Sequence, residues 1–184
     1  MLLEEKNENT DQKGSPAVKV RKKRTATYYA VKFLAKLAVT ALAVWILCTY
    51  VIGIYVNHSH SAYPMIKDGD LCITYRLGEL QQGDEVVYSF DGTVRYGRIT
   101  ALEGDVVDIK NDCITVNGYG VYEDIVYPTT SEGSSIEYPY TVPEGCVFLL
   151  NDFRSDISDS RTYGGIPIAD TKGKIIFLIR KRGI

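Results

Sequence analysis

The feature that most constrains this chain is an uncharged apolar run, Leu37–Val56, reading LAVTALAVWILCTYVIGIYV. About 20 such residues span the hydrocarbon core of a bilayer as a helix. Trp45 is central, and Tyr50 and Tyr55 approach the far end, where aromatic rings favour the membrane interface. A cleaved signal peptide has a shorter apolar core, of about 7–15 residues, so the run is predicted to be a retained anchor. Lys19, Arg21, Lys22, Lys23, Arg24, Lys32 and Lys36 lie ahead of it. Basic flanks stay on the cytoplasmic side. The predicted protein is therefore single-pass in the plasma membrane, with its N-terminus cytoplasmic. Its parts are a disordered basic tail over 1–30, a transmembrane helix over 31–56 and an extracytoplasmic domain over 57–184.

The outer part reads as strands. Leu71–Tyr75, Glu85–Phe90, Val94–Ala101, Val106–Lys110, Ile114–Val116, Cys146–Leu150 and Lys174–Arg180 are short apolar-rich runs. Turn signals separate them: Gly83-Asp84, Glu103-Gly104-Asp105, and Asn117-Gly118, a strong hairpin signal. Thr129–Ser135 reads as a loop. This pattern predicts a mainly β domain with one core. The net charge of −2 gives no global basic footprint, so no nucleic-acid partner is expected. Of four cysteines, Cys48 falls in the apolar run. Cys72, Cys113 and Cys146 are odd in number, widely spaced and without C-x-x-C, which argues against a disulfide framework or zinc site. Buried free thiols are expected, with one bridge among the three as the alternative, and no metal or cofactor.

Chemistry-bearing residues gather just past the anchor, in His58–Asp70, HSHSAYPMIKDGD. If this stretch is extended, Ser59 and Ser61 point to one side. Two adjacent hydroxyls can serve as nucleophile and oxyanion donor, and Pro64 fixes the backbone beyond them. His58 and His60 flank Ser59 and would face away from Ser61. Lys67 lies in an acidic turn beside Asp68 and Asp70.

Three stretches in this order, behind one anchor, carry a resemblance: Ser61–Asp70, Arg95–Asp105 (RYGRITALEGD) and Asn151–Gly165 (NDFRSDISDSRTYGG). The chain resembles type I signal peptidases, membrane-bound serine endopeptidases that remove signal peptides from exported proteins, in their Gram-positive form with one anchor. The resemblance implies a signal-peptidase-type coiled β domain, with a small β-ribbon insertion around 111–140. It places Ser61 at the nucleophile and Ser59, with the Ser61 N–H, at the oxyanion hole. Ala62 and Met65-Ile66 depart from the family's Met and Thr-Leu. Arg98 matches the family arginine that follows the general-base lysine, but Gly97 stands at the lysine itself. Asp159, Ser160 and Arg161 match the third motif, with Asp159 and Arg161 as its ion pair. Ile157 replaces the serine that orients the lysine, and Ser158 beside it would have no lysine to hold.

The base and its orienting group are thus both absent, and glycine at 97 also admits backbone conformations that a lysine resists. The resemblance then implies a catalytically degenerate member, like the signal-peptidase relatives of pilus and sortase loci, acting as an accessory or chaperone in pilin or surface-protein assembly. The alternative it leaves is an active signal peptidase I with Ser61 as nucleophile and a substituted base. The implied partners are exported pre-proteins or pilin subunits, the plasma membrane, and sortase as a further candidate.

Overall fold

The computed structural model describes residues 25–122 and 127–180. The predicted tail lies outside these residues as far as Arg24, and its last residues, 26–30, are the start of a helix rather than disordered. The chain divides into two compact units between Thr40 and Ala41. Helix α1, Ala26–Ile46, runs on into a π-helical turn, Leu47–Val51. Together they form a 26-residue helical segment, long and apolar enough to cross a membrane. None of its side chains is buried in protein, as suits a helix solvated by lipid.

Strand β1, Ile52–Val56, is a correction. The helix expected to reach Val56 ends short of it, because a continuous apolar run does not distinguish helix from buried strand. The helix stops at Val51, and β1 pairs in register with β2, Leu71–Tyr75, from Ile52↔Tyr75 to Val56↔Leu71. Gly53 leaves room for the side chain of Thr74, its partner on the facing strand. A Cβ there would lie 2.4 Å from Thr74 Oγ1.

The remaining strands are β3 Glu85–Phe90, β4 Thr93–Ala101, β5 Val106–Lys110, β6 Cys113–Val116, β7 Tyr119–Gly120, β8 Tyr140–Thr141, β9 Cys146–Leu150, β10 Ile166–Pro167 and β11 Thr171–Ile179. A short helix α2, Ser160–Tyr163, follows β9. Seven strands form one antiparallel sheet in the order β1-β2-β11-β3-β4-β9-β10. The order β7-β6-β5-β8 makes a second sheet, which occupies the place of the predicted ribbon but begins earlier, at Val106. Its β6–β7 turn has Asn117 at φ 53° and Gly118 at φ 82°, the left-handed pair that a two-residue hairpin turn requires.

Alternation along β3 and β4 sends side chains to two cores. Val86, Tyr88 and Ile99 pack with Val147, Leu149 and Ile166. Val87 and Tyr96 pack with Ala62, Ile66 and Cys72. The second of these cores seats the Ser61 loop on the sheet. A third cluster, around Val107, Ile114, Val142 and Phe148, holds the smaller sheet. Cys72, Cys113 and Cys146 are free thiols, but only Cys72 is buried, and Cys113 is exposed. The latter ends an edge of the β5–β6 hairpin rather than entering a core.

Candidate functional site

The loop from Asn57 to Asp70 is not extended. It turns repeatedly between His60 and Ile66, with the Tyr63 N–H donating to the His60 carbonyl (3.0 Å) and the Ile66 N–H to the Ala62 carbonyl (2.8 Å). One side chain organises it. Asn57 is fully buried, and its Nδ2 donates to the carbonyls of Ser59 (2.7 Å) and Lys67 (3.1 Å). Its Oδ1 accepts from the Ser59 N–H at 2.9 Å. Asn57 was not singled out in the sequence, where it is merely the first polar residue after the apolar run.

This clamp brings Ser59 and Ser61 together as expected, although through turns rather than a strand. Ser59 Oγ donates to Ser61 Oγ at 3.0 Å and accepts from the Ser61 N–H at 3.1 Å. Ser61 is buried, and its carbonyl accepts from the Phe153 N–H at 2.9 Å, which ties the loop to the third motif. Among the described residues the Ser61 hydroxyl donates to no group, whereas the Ser61 N–H is spent on Ser59.

A groove of about 290 Å³ opens here, lined by Val56, His58, Ser59, Ser61, Thr93, Val94, Arg95, Tyr96, Asn151 and Ser158. Its long wall is the first half of β4. On one side Thr93–Arg98 pair with β3, but β9 pairs with β4 only from Arg98 onward. The other edge of Thr93–Gly97 therefore carries no ladder among the described residues. His58 lines the groove rather than facing away from it, and its Nδ1 lies 3.5 Å from Asp68 Oδ1. Lys67 is exposed on the turn, with its N–H donating to Asp70 Oδ2. Ser158 is held by Asp156, whose carboxylate accepts from both its N–H and its hydroxyl.

Gly97 lies in ordinary strand backbone, so nothing in its own conformation demands glycine. That sequence expectation does not hold. A Cβ there would meet Leu149 Cβ and Tyr88 Cε1, each at 3.4 Å. The Tyr88 ring thus stands over the face that a side chain at 97 would enter. Its hydroxyl is buried without a hydrogen-bond partner among the described residues. Burial first, and then the Asp159 carboxylate, push its ionisation well above the usual phenol range. Tyr88 is therefore not available as a base at neutral pH. Ile157 is turned toward Gly133, where a Cβ would lie 3.0 Å from its Cδ1.

Behind the groove, Asp159 and Arg161 are completely buried and joined by Nε–Oδ1 (3.0 Å) and NH2–Oδ2 (2.8 Å) hydrogen bonds. Asp159 also caps α2 through the Arg161 N–H (3.0 Å) and accepts from the Asn151 N–H (3.0 Å). Arg161 donates to the carbonyls of Arg154 (2.9 Å) and Asp156 (2.7 Å). Ser160 Oγ accepts from the Leu149 N–H at 2.9 Å. Together these bonds fold residues 149–161 into a rigid wall. Arg98 belongs to a separate cluster. Its Nε and NH2 bind Asp152 at 2.8 and 2.7 Å, and NH2 lies 3.0 Å from Glu85 Oε2. Both Glu85 oxygens are buried, and desolvation, with the Asp152 charge, raises its pKa. Among the described residues no group of His, Cys, Asp and Glu is arranged to hold a metal.

Comparison with known proteins agrees with the three motifs. The family described as signal peptidase, peptidase S26, matches residues 30–179. Signal peptidase I of Bacillus caldolyticus is 30% identical over 144 residues, which cover 70% of this chain and 79% of that protein. Signal peptidase I T of Bacillus subtilis is 26% identical over 182 residues, covering 92% of this chain and 90% of the relative. A crystal structure of a signal peptidase I from Enterococcus faecalis covers 53% of this chain and 97% of its own, with a TM-score of 0.46 at 26% identity.

Proposed function

This chain belongs to the signal peptidase family, peptidase S26, and on that premise we propose that it is a catalytically degenerate, membrane-anchored member that holds exported polypeptides without cutting them. The observation that carries this reading is Gly97. By the motif resemblance it takes the family's general-base position, and Tyr88 and Leu149 each lie 3.4 Å from the point where its Cβ would be. A serine hydroxyl is a weak nucleophile unless a neighbouring base takes its proton. Among the described residues no lysine lines the groove.

Holding a peptide needs less than cutting one. The unpaired edge of Thr93–Gly97 can add an extended segment as a further strand, with main-chain hydrogen bonds supplying affinity. The groove beside Ser61 then takes a side chain or an end of that segment. The helical anchor tethers the chain to the membrane, where exported chains emerge. The role follows as an accessory in pilin or surface-protein assembly, with pilin subunits or other exported pre-proteins as clients, sortase as a neighbour, and the N-terminus cytoplasmic.

A second reading rests on His58. It lines the same groove as Ser61, with Asp68 beside its Nδ1, and an imidazole is the commonest general base. One assay separates the two. The full chain in detergent is incubated with a signal-peptide substrate beside Ser61→Ala and His58→Ala. The expected result is no turnover above the Ser61→Ala blank. Turnover abolished by both substitutions would establish an active peptidase with a substituted base.

A further inference from the structure

The positive charge in the groove is not a lysine but Arg95, and we propose that this arginine and Ser61 form a site for a carboxylate borne by an extended peptide. The inference rests on the reading that the groove takes a peptide, and adds which chemical group of that peptide is recognised.

Arg95 is pinned by a stack. The rings of Phe90 and Tyr163 lie 4.0 Å apart at 20°, and the Arg95 guanidinium carbon sits 5.3 Å from the centre of the Tyr163 ring. A guanidinium held on an aromatic face keeps its donors directed outward at low entropic cost. Yet Arg95 Nε is buried without a hydrogen-bond partner, and among the described residues no carboxylate lies within ion-pair distance of this arginine. Of the acids around Tyr88, Asp159 is paired with Arg161, and Asp156 accepts from Ser158 rather than from Arg95. A lined groove with an uncompensated cation selects an anion.

The other groups suit a carboxylate carried on a backbone. Ser61 Oγ accepts from Ser59, so its own proton is free to donate into the groove. Asn151 lines the same groove and is 1% exposed, and its Nδ2 is spent on the Asp156 carbonyl. Its Oδ1 is buried without a partner among the described residues. That acceptor fits a peptide N–H. Two donors for an anion and one acceptor for an amide therefore converge beside an open strand edge. The end of a polypeptide chain, or an acidic side chain along it, carries this combination.

The test uses the full chain in detergent and fluorescence anisotropy with N-terminally labelled alanine–serine peptides of about eight residues. One ends in a free carboxylate and one in a carboxamide. A third is amidated but carries a glutamate next to its end. The free acid is expected to bind about tenfold more tightly than the amide, and Arg95→Gln to erase that gap. Ser61→Ala should narrow it, which keeps the test decisive if Arg95→Gln shifts the thermal melt. Tight binding of the glutamate peptide would assign the carboxylate to a side chain, and weak binding would assign it to the chain end. Equal affinity for acid and amide, or a gap that survives Arg95→Gln, overturns the carboxylate site and leaves peptide binding standing. Failure of every peptide to bind overturns both.

Discussion

The ring of Tyr88 stands 3.4 Å from the point where a Cβ on Gly97 would lie, and the Leu149 side chain stands equally close on β9. A single methyl group fits there at ordinary contact distance, and a longer chain has to pass between the ring and Leu149. Gly97→Ala should therefore fold normally and gain about 0.4–1 kcal/mol from the reduced freedom of the unfolded chain. Gly97→Lys should lose about 1–3 kcal/mol through overpacking and leave a signal-peptide substrate uncut. Urea denaturation of both variants checks the first part. Equal stability of the alanine and lysine forms would mean that Tyr88 and Leu149 do not confine the site.

Asn57 is the buried bracket of the Ser61 loop. It holds Ser59 through both the N–H and the carbonyl, and reaches Lys67 across the turn. Asn57→Ala should cost about 2–3 kcal/mol by leaving those backbone groups unpaired. The loss should be local first. Amide exchange at Ser59 should accelerate far more than at Ile99 in the β4 core. Parallel acceleration at both sites would show that the bracket stabilises the whole sheet rather than the loop.

Most of the sheet was legible because its strands are short, β-branched and punctuated by turns. Leu71–Tyr75, Glu85–Phe90, Val106–Lys110 and Cys146–Leu150 run where the pattern put them. Strand β1 was hidden inside an apolar run whose composition suits lipid and core equally. Two-residue strands such as β10 have no periodicity to read. At the site, the paired serines and the Asp159–Arg161 pair followed from motif positions. Asn57, Tyr88, Arg95 and Asn151 did not. Their roles depend on which strands lie side by side, and that is fixed by long-range pairing such as Tyr88↔Arg95 across β3 and β4.

The buried ion pair of Asp159 and Arg161 should behave as one unit. Each is wholly inaccessible to water, and each also satisfies backbone groups of the 151–161 wall. Arg161→Leu strands an anion in the interior and should cost about 3–5 kcal/mol. Chemical denaturation should show a lower midpoint with an unchanged slope. A loss below about 1 kcal/mol, the worth of an exposed pair, would mean that water reaches Asp159.

Glu85 sets a pH dependence with a definite sign. Its carboxylate oxygens are buried beside Asp152, and the nearby cations Arg98 and Arg154 only partly offset that burial, so its pKa rises to about 8. In the unfolded chain the same group titrates near the ordinary glutamate value of about 4.3. The folded state thus binds the extra proton between these limits, and stability must fall as pH rises through that window. The contribution is fully present below the unfolded value and lost above the folded one. Glu85→Gln mimics the protonated form and leaves Arg98 its two bonds to Asp152. Thermal melts of the full chain in detergent from pH 5 to about 8.5 should show the wild-type midpoint declining more steeply than that of Glu85→Gln. The variant should be the more stable of the two at the alkaline end. Identical slopes would show that Glu85 is ionised throughout the range, with Arg98 shared evenly between it and Asp152.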